Sequence, residues 1–130
     1  MQSCFDASAL LALLFDVPGA QPVAALIADR AAISAGNFAE VALVLTPNHP
    51  HLKPGLRAVR AQVDVEPFTD ADTLATAALA PKVTGKGLSL ADRACLALAQ
   101  RWDAPAFPAY HVWSGLPLNI SVHLIRRDGT

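Results

Sequence analysis

The chain has 130 residues, of which 53% are hydrophobic and 16% charged, with a formal net charge of −1 and a pI of about 6.4. This balance excludes an intrinsically disordered chain, which would have few apolar and many charged residues. The small net charge also excludes nucleic-acid binding by the surface as a whole, so such binding needs a local basic patch. We expect a single domain over residues 1–130.

Short apolar segments alternate with helical segments along the chain. The predicted strands are residues 2–5, 31–35, 63–68, 104–107 and 120–125. The predicted helices are residues 7–15, 19–28, 38–45, 56–62, 70–79 and 90–102. Pro67 favours an edge position for the third strand, because proline cannot donate to a ladder. The alternation predicts a three-layer α/β domain, with helices on both faces of a parallel sheet.

Local signals set the predicted boundaries. Asn37 is predicted to cap the third helix and Thr69 the fifth. Residues 82–87 are predicted to form a loop. A second predicted loop is marked by a cluster of prolines, namely Pro47, Pro50 and Pro54.

The cysteines and the N-terminal segment indicate the compartment. Cys4 and Cys95 both lie in apolar segments, which favours buried free thiols over a disulfide. No basic segment precedes the first apolar stretch, so it does not resemble a signal peptide. The longest apolar stretch, residues 7–15, is too short to span a bilayer. We expect a cytoplasmic protein that does not contact membranes.

Three acidic residues follow the strands at related positions. Asp6 comes directly after the first strand, Glu40 one helical turn after the second, and Asp92 in the first turn of the longest helix. Sites in parallel sheets form outside the carboxyl ends of the strands, where helix N-termini also lie. We therefore expect the three carboxylates to meet at one edge of the sheet.

Helix capping is the structural alternative for each acid. Asn37 and Glu40 have the spacing of a capping box, and Ser89 and Asp92 have a looser form of it. Asp6 is placed to cap the helix that follows it. Acids in a first helical turn are also favoured by the helix dipole.

If the acids do converge, their charges predict cation binding. Two carboxylates 4 Å apart repel by roughly 4 kcal/mol at an effective dielectric constant of 20. A site made only of oxygen ligands suits Mg²⁺ or Mn²⁺ better than Zn²⁺. The reaction that fits is metal-assisted attack of water on a phosphodiester.

Four segments resemble the PIN domain family, and most closely its VapC-type toxins from VapBC toxin–antitoxin pairs. They are FDASALLALL at 5–14, ISAGNFAEV at 33–41, GLSLADRACLALA at 87–99 and SVHLIR at 121–126. The resemblance implies a PIN-like fold with a parallel five-stranded sheet. It also implies an endoribonuclease toxin that uses Mg²⁺ or Mn²⁺ to cleave tRNA or rRNA, pairs with an antitoxin protein and forms a homodimer.

The resemblance assigns roles to residues of this chain. Asp6, Glu40 and Asp92 match three of the family's catalytic and metal-binding acids. Ser8 falls at a hydroxyl position that supports the first acid or a water molecule on the metal. Hydrogen bonding of Ser8 to the helix backbone is the alternative for that residue.

One segment departs from the family pattern. Family members usually carry a fourth acid in a Thr-Ala-Asp-x-x-Trp-like segment after the fourth strand. Here residues 108–113 read PAYHVW, so Trp113 keeps the register while Tyr110 stands in place of the acid. A tyrosine hydroxyl has a pKa near 10 and is not a Mg²⁺ ligand at neutral pH.

Three hypotheses follow from Tyr110. In the first, the three remaining acids hold a single metal ion. In the second, His111 or Asp103 takes the position of the fourth acid, and a histidine ligand would favour Mn²⁺. In the third, activity is lost. In the last case the chain is a weakened PIN domain that acts mainly as an antitoxin-binding or protein-binding module. A phosphoacceptor signalling domain would need an acidic pair after the first strand, where only Asp6 is present.

Basic residues near Asp92 are candidates for contact with RNA. Arg93 follows it directly, and its alternative role is an ion pair with a neighbouring acid. Lys82 and Lys86 flank the preceding loop and are candidates for a basic rim, with an ordinary solvated surface as the alternative.

Overall fold

Four parallel strands form the centre of the computed structural model, which describes residues 2–83, 88–108 and 122–125. The strands are β1 (Ser3–Phe5), β2 (Ala31–Ser34), β3 (Asp64–Glu66) and β4 (Ala106–Phe107), in the order β3-β2-β1-β4. Every residue of β1 and β2 is buried, as expected for the central strands of a parallel sheet covered on both faces. The edge position predicted for the third strand is confirmed.

The predicted count of five strands is wrong for the described residues, which form four. Next to β4, Val122 makes one isolated parallel bridge to Ala106. Residues 120 and 121 of the predicted fifth strand lie outside the described residues.

The described residues form six α-helices around the sheet. They are α1 (Ala7–Leu14), α2 (Ala20–Asp29), α3 (Ala35–Asn48), α4 (Lys53–Gln62), α5 (Asp70–Val83) and α6 (Leu90–Trp102). A 3₁₀ turn, Pro50–Leu52, precedes α4. No helix in the described ranges is long and apolar enough to cross a membrane.

Alternation along the strands divides the core into two clusters. Phe5 and Ile33 pack on one face of the sheet with apolar residues of α1 to α4. Cys4 and Ala32 pack on the other face with α5 and α6. Because successive side chains of a strand point to opposite faces, this division confirms the predicted three layers. Both cysteines are buried and free, as predicted.

The structure corrects the predicted start of α3 and the predicted end of α5. Asn37 does not cap α3; the helix begins three residues before the predicted start, and Ser34 Oγ accepts the N–H of Gly36 at 3.3 Å. Strand β2 ends at Ser34, so this hydroxyl is available one turn earlier than Asn37. Lys82 belongs to α5 rather than to a loop, while residues 84–87 lie outside the described residues.

The three prolines of the second predicted loop lie in helical segments. Pro47 lies in the last turn of α3, and Pro50 begins the 3₁₀ turn. Pro54 lies in the first turn of α4. A missing N–H costs little at the start of a helix, so two of these prolines are compatible with helical structure.

Candidate active site

The topology brings the three predicted acids to one edge of the sheet. Asp6 follows β1 directly, and Glu40 lies on α3, the helix that follows β2. Helix α6 leads into the parallel strand β4, so its N-terminal turn, which contains Asp92, starts at this same edge. This is the edge at which parallel α/β sheets usually bind ligands.

Asp6 is held by the start of α1. Its side chain is 2% exposed, and its backbone is extended at the N-cap position. Oδ1 accepts the N–H of Ala9 at 3.1 Å and the hydroxyl of Ser8 at 2.7 Å. The carboxylate is therefore fixed by the helix that follows it, and Ser8 is bonded to it directly.

Asp92 is held by the start of α6. It is 8% exposed and forms a capping box with Ser89, whose Oγ accepts the Asp92 N–H at 3.1 Å. The N–H of Ser89 donates in return to Asp92 Oδ2 at 3.0 Å. Asp92 makes no ion pair within the part of the chain that the structure describes.

Glu40 faces the first turn of α6 across a pocket. It is half-buried and lines a cavity of about 310 Å³ together with Ser89 and Ala91. Asn37, one turn before Glu40 and fully buried, donates from Nδ2 to the carbonyl oxygen of Ala91 at 2.9 Å. This hydrogen bond ties α3 to the turn that carries Asp92.

A buried thiol is influenced by two of the acids. Burial raises the pKa of Cys95 well above its usual value, and the charges of Asp6, Cys4 and Asp92 raise it further. Cys95 lies one helical turn after Asp92 on α6.

The described residues do not by themselves complete a metal centre. They contain no group of three histidine, cysteine, aspartate or glutamate side chains arranged to hold a metal ion. The chemistry of the donor set still fits Mg²⁺ or Mn²⁺, since Asp6, Asp92 and Glu40 offer only oxygen. Asp6 lies at the start of α1, and Asp92 lies in the first turn of α6, which faces Glu40 across the pocket.

The other residues that the sequence suggested for the site lie near these acids, far from them, or outside the described residues. Arg93 is half-buried, and its Nε has no hydrogen-bond partner among the described residues. Asp103 caps the opposite end of α6, about 16 Å from Asp92 at 1.5 Å per residue, so it does not replace the missing acid. Tyr110, His111 and Lys86 lie outside the described residues.

Two residues near the site were not recognised from the sequence in their observed roles. Asn37 was assigned to a cap, and its partner lies 54 residues away in the chain. Phe68 was assigned to the end of a strand, but it lines the pocket that contains Glu40. The only signal for Phe68 was its position after β3, at the carboxyl edge of the sheet.

Comparisons with known proteins agree with this architecture. A family model described as PIN domain matches residues 3–110. A chain of a toxin–antitoxin complex from Klebsiella pneumoniae is similar in structure, with a TM-score of 0.76, 21% identity, and 98% of this chain and 99% of that chain covered. A chain of VapBC2 from Rickettsia felis, bound to a DNA fragment from their promoter, has a TM-score of 0.76 and 15% identity, with 95% and 98% covered. No curated protein matches the chain.

Proposed function

We propose that this chain, which belongs to the PIN domain family, is a metal-dependent endoribonuclease and the toxin of a VapBC-type toxin–antitoxin pair. The observation that carries the proposal is a pair of buried carboxylates, Asp6 and Asp92, at the starts of two helices that begin at the same edge of the sheet. The two carboxylates offer oxygen ligands from separate elements, and oxygen ligands are the kind that Mg²⁺ and Mn²⁺ prefer. A divalent cation is the partner that also supports cleavage of RNA.

The chain's own residues prepare such a site. Asp6, Asp92 and Glu40 are the residues that would hold Mg²⁺ or Mn²⁺. A bound ion would supply Lewis acidity and activate water for attack on the phosphodiester. Ser8 orients Asp6 through its 2.7 Å hydrogen bond, and the capping box orients Asp92. Ligands that are already ordered bind metal more tightly than ligands that must be ordered on binding.

The proposal includes protein partners, and exposed apolar side chains on α3 support them. Leu43 is 73% exposed and Val44 40% exposed, beside an apolar hollow on the same helix. An antitoxin or a second copy of the chain would bury this surface at a gain of about 25 cal/mol per Å². We place the pair in the cytoplasm, with tRNA or rRNA as the substrate.

A second candidate function follows from Tyr110, which replaces the usual fourth acid. A site with one acid fewer has less negative charge to hold a second cation. In this alternative the chain is a catalytically weakened PIN domain that acts mainly by binding an antitoxin or another protein.

Cleavage assays with two variants of one capping box test the proposal. Purified protein is incubated with tRNA and rRNA fragments in Mg²⁺ or Mn²⁺, and the products are separated on denaturing gels. Asp92→Asn removes the charge but keeps an oxygen that accepts the N–H of Ser89. Ser89→Ala is the matched control, because it removes the other bond of the box and leaves the carboxylate in place.

We expect Asp92→Asn to lose cleavage at every metal concentration, and Ser89→Ala to cleave once the metal concentration is raised to saturation, with both variants folded by circular dichroism. Equal losses in the two variants would mean that Asp92 acts only as a cap. Intact RNA with both metal ions, together with tight antitoxin binding, would favour the binding module. In that case Tyr110→Asp should restore cleavage, since it supplies the acid that the family pattern contains.

A further inference from the structure

The pocket beside Glu40 has the features of a site for a planar apolar group. Its volume is about 310 Å³, at the lower end of the range of ligand pockets, and its walls are mainly apolar. Phe68, Leu90 and Gly36 contribute to these walls. We infer that this pocket binds an unpaired nucleobase of the RNA, an inference that rests on the proposed function.

The exposed apolar side chains of the pocket support this assignment. Phe68 is half-buried and belongs to neither core cluster of the described residues, so its ring is not needed to fill the core. Leu90 is 68% exposed beside it. Unpaired bases stack on aromatic side chains in most sequence-specific and non-specific single-strand binding sites. A base in this pocket would cover both side chains.

The position of the pocket relates it to the proposed cleavage site. Glu40 lies in its wall, and so does Ser89, the capping partner of Asp92. A base held there would belong to a nucleotide close to the phosphodiester that is cut. The pocket would thus select single-stranded or loop nucleotides, whose bases are free to leave the stack.

Electrostatics favour a base contact at this location. Outside the proposed metal site the surface as a whole does not attract phosphate, because the chain carries a formal net charge of −1. Stacking gives affinity that does not depend on phosphate charge, and therefore changes little with salt.

A nucleobase also fits the wall of the pocket better than an apolar side chain of a protein partner. Ser89 lies in this wall, and its hydroxyl can both donate and accept hydrogen bonds. Bases carry donors and acceptors on their edges, whereas an apolar side chain offers neither.

Two independent pairs of variants test the pocket. Phe68→Ala removes the stacking ring, and its control is Phe15→Ala, at the far end of α1, where the ring is 36% exposed. Gly36→Leu fills the pocket without removing any side chain. Its control is Ala39→Leu, which adds an apolar side chain at an exposed position of the same helix outside the pocket.

Binding is measured by fluorescence anisotropy with labelled oligoadenylate and oligouridylate, and with a ribose-phosphate chain of the same length that lacks bases. Ca²⁺ replaces Mg²⁺, since its longer and more flexible coordination separates binding from cleavage. We expect Phe68→Ala to weaken binding of base-containing RNA by about 5- to 140-fold, the equivalent of 1–3 kcal/mol for one stacked base. Gly36→Leu should give a similar loss, and both controls should bind as the unmodified protein does.

Two further results are expected if the pocket holds a base. The chain without bases should bind the Phe68→Ala variant and the unmodified protein equally, and the loss in Phe68→Ala should be the same at low and physiological salt. Unchanged binding of base-containing RNA by both Phe68→Ala and Gly36→Leu would overturn the inference, as would loss of antitoxin binding alone. If binding is unchanged in both variants but the protein still cleaves RNA, the base pocket is refuted and the proposed nuclease activity is not. If RNA binding depends on Phe68 but no cleavage occurs in Mg²⁺ or Mn²⁺, the nuclease activity is refuted and the base pocket is not.

Discussion

Replacing Asn37 by alanine removes the hydrogen bond that joins α3 to the first turn of α6. The bond is 2.9 Å long, the Asn37 side chain is fully buried, and a bond of this kind contributes about 0.5–1.5 kcal/mol. Loss of the buried amide also leaves a cavity, which adds to the cost. Two effects limit the loss. The carbonyl of Ala91 keeps the helical position that accepts an N–H four residues later, and the unpaired Oδ1 of Asn37 is removed with the side chain.

We therefore expect Asn37→Ala to lower the free energy of unfolding by about 1–2 kcal/mol. For a chain of this size each kcal/mol lowers the melting temperature by roughly 3–5 °C. The measurement is thermal and urea unfolding followed by circular dichroism. Asn48→Ala is the matched control, because Asn48 lies at the exposed end of the same helix. Equal unfolding curves for the two variants would refute the assigned role of the Asn37 bond.

Three further predictions use other parts of the structure. Gly19→Ala should destabilise the protein by about 1–2 kcal/mol, because Gly19 has φ of +106° and an added Cβ would lie 3.2 Å from the Ile125 side chain. Gly36→Ala is the control and should be neutral or mildly stabilising in the same thermal melts. Both cysteines should resist a thiol reagent until the protein unfolds, since they are fully buried and burial raises the pKa of Cys4 to about 12; rapid labelling of the native protein would contradict their placement. Ser8→Ala should raise the Mn²⁺ concentration needed for half-maximal cleavage by about 10- to 100-fold, because it removes the hydrogen bond to Asp6. An unchanged metal titration would show that this bond is not needed for metal binding.

The elements that were predicted well are those in which local signals agree. Helix α6 was predicted at residues 90–102 and begins and ends there, because the Ser89 cap, the acid three residues later and the apolar periodicity all indicate the same start. The start of α3 was wrong because two capping residues, Ser34 and Asn37, were available. The end of β2 decides between them, and the length of a strand in a sheet depends on its neighbours rather than on its own sequence.

The location of the candidate site was predictable to the level of the sheet edge and no further. The order of strands and helices was enough to place Asp6, Glu40 and Asp92 at one edge. Contacts between segments far apart in the chain were not predictable, since no local pattern encodes them. The Asn37 bond to Ala91 and the position of Phe68 in the pocket wall are both of this kind.

Capping and metal binding are compatible roles for the acids at this edge. Ser8 and Ala9 both donate to Oδ1 of Asp6, and the N–H of Ser89 donates to Oδ2 of Asp92. Each cap engages one oxygen of its carboxylate and thereby fixes the torsions of the side chain. Ordering a mobile side chain on binding costs about 0.5–1.5 kcal/mol, a cost already met here when the helix forms. The capping pattern therefore favours the proposed metal site, because the helix starts order the same carboxylates that a cation would bind.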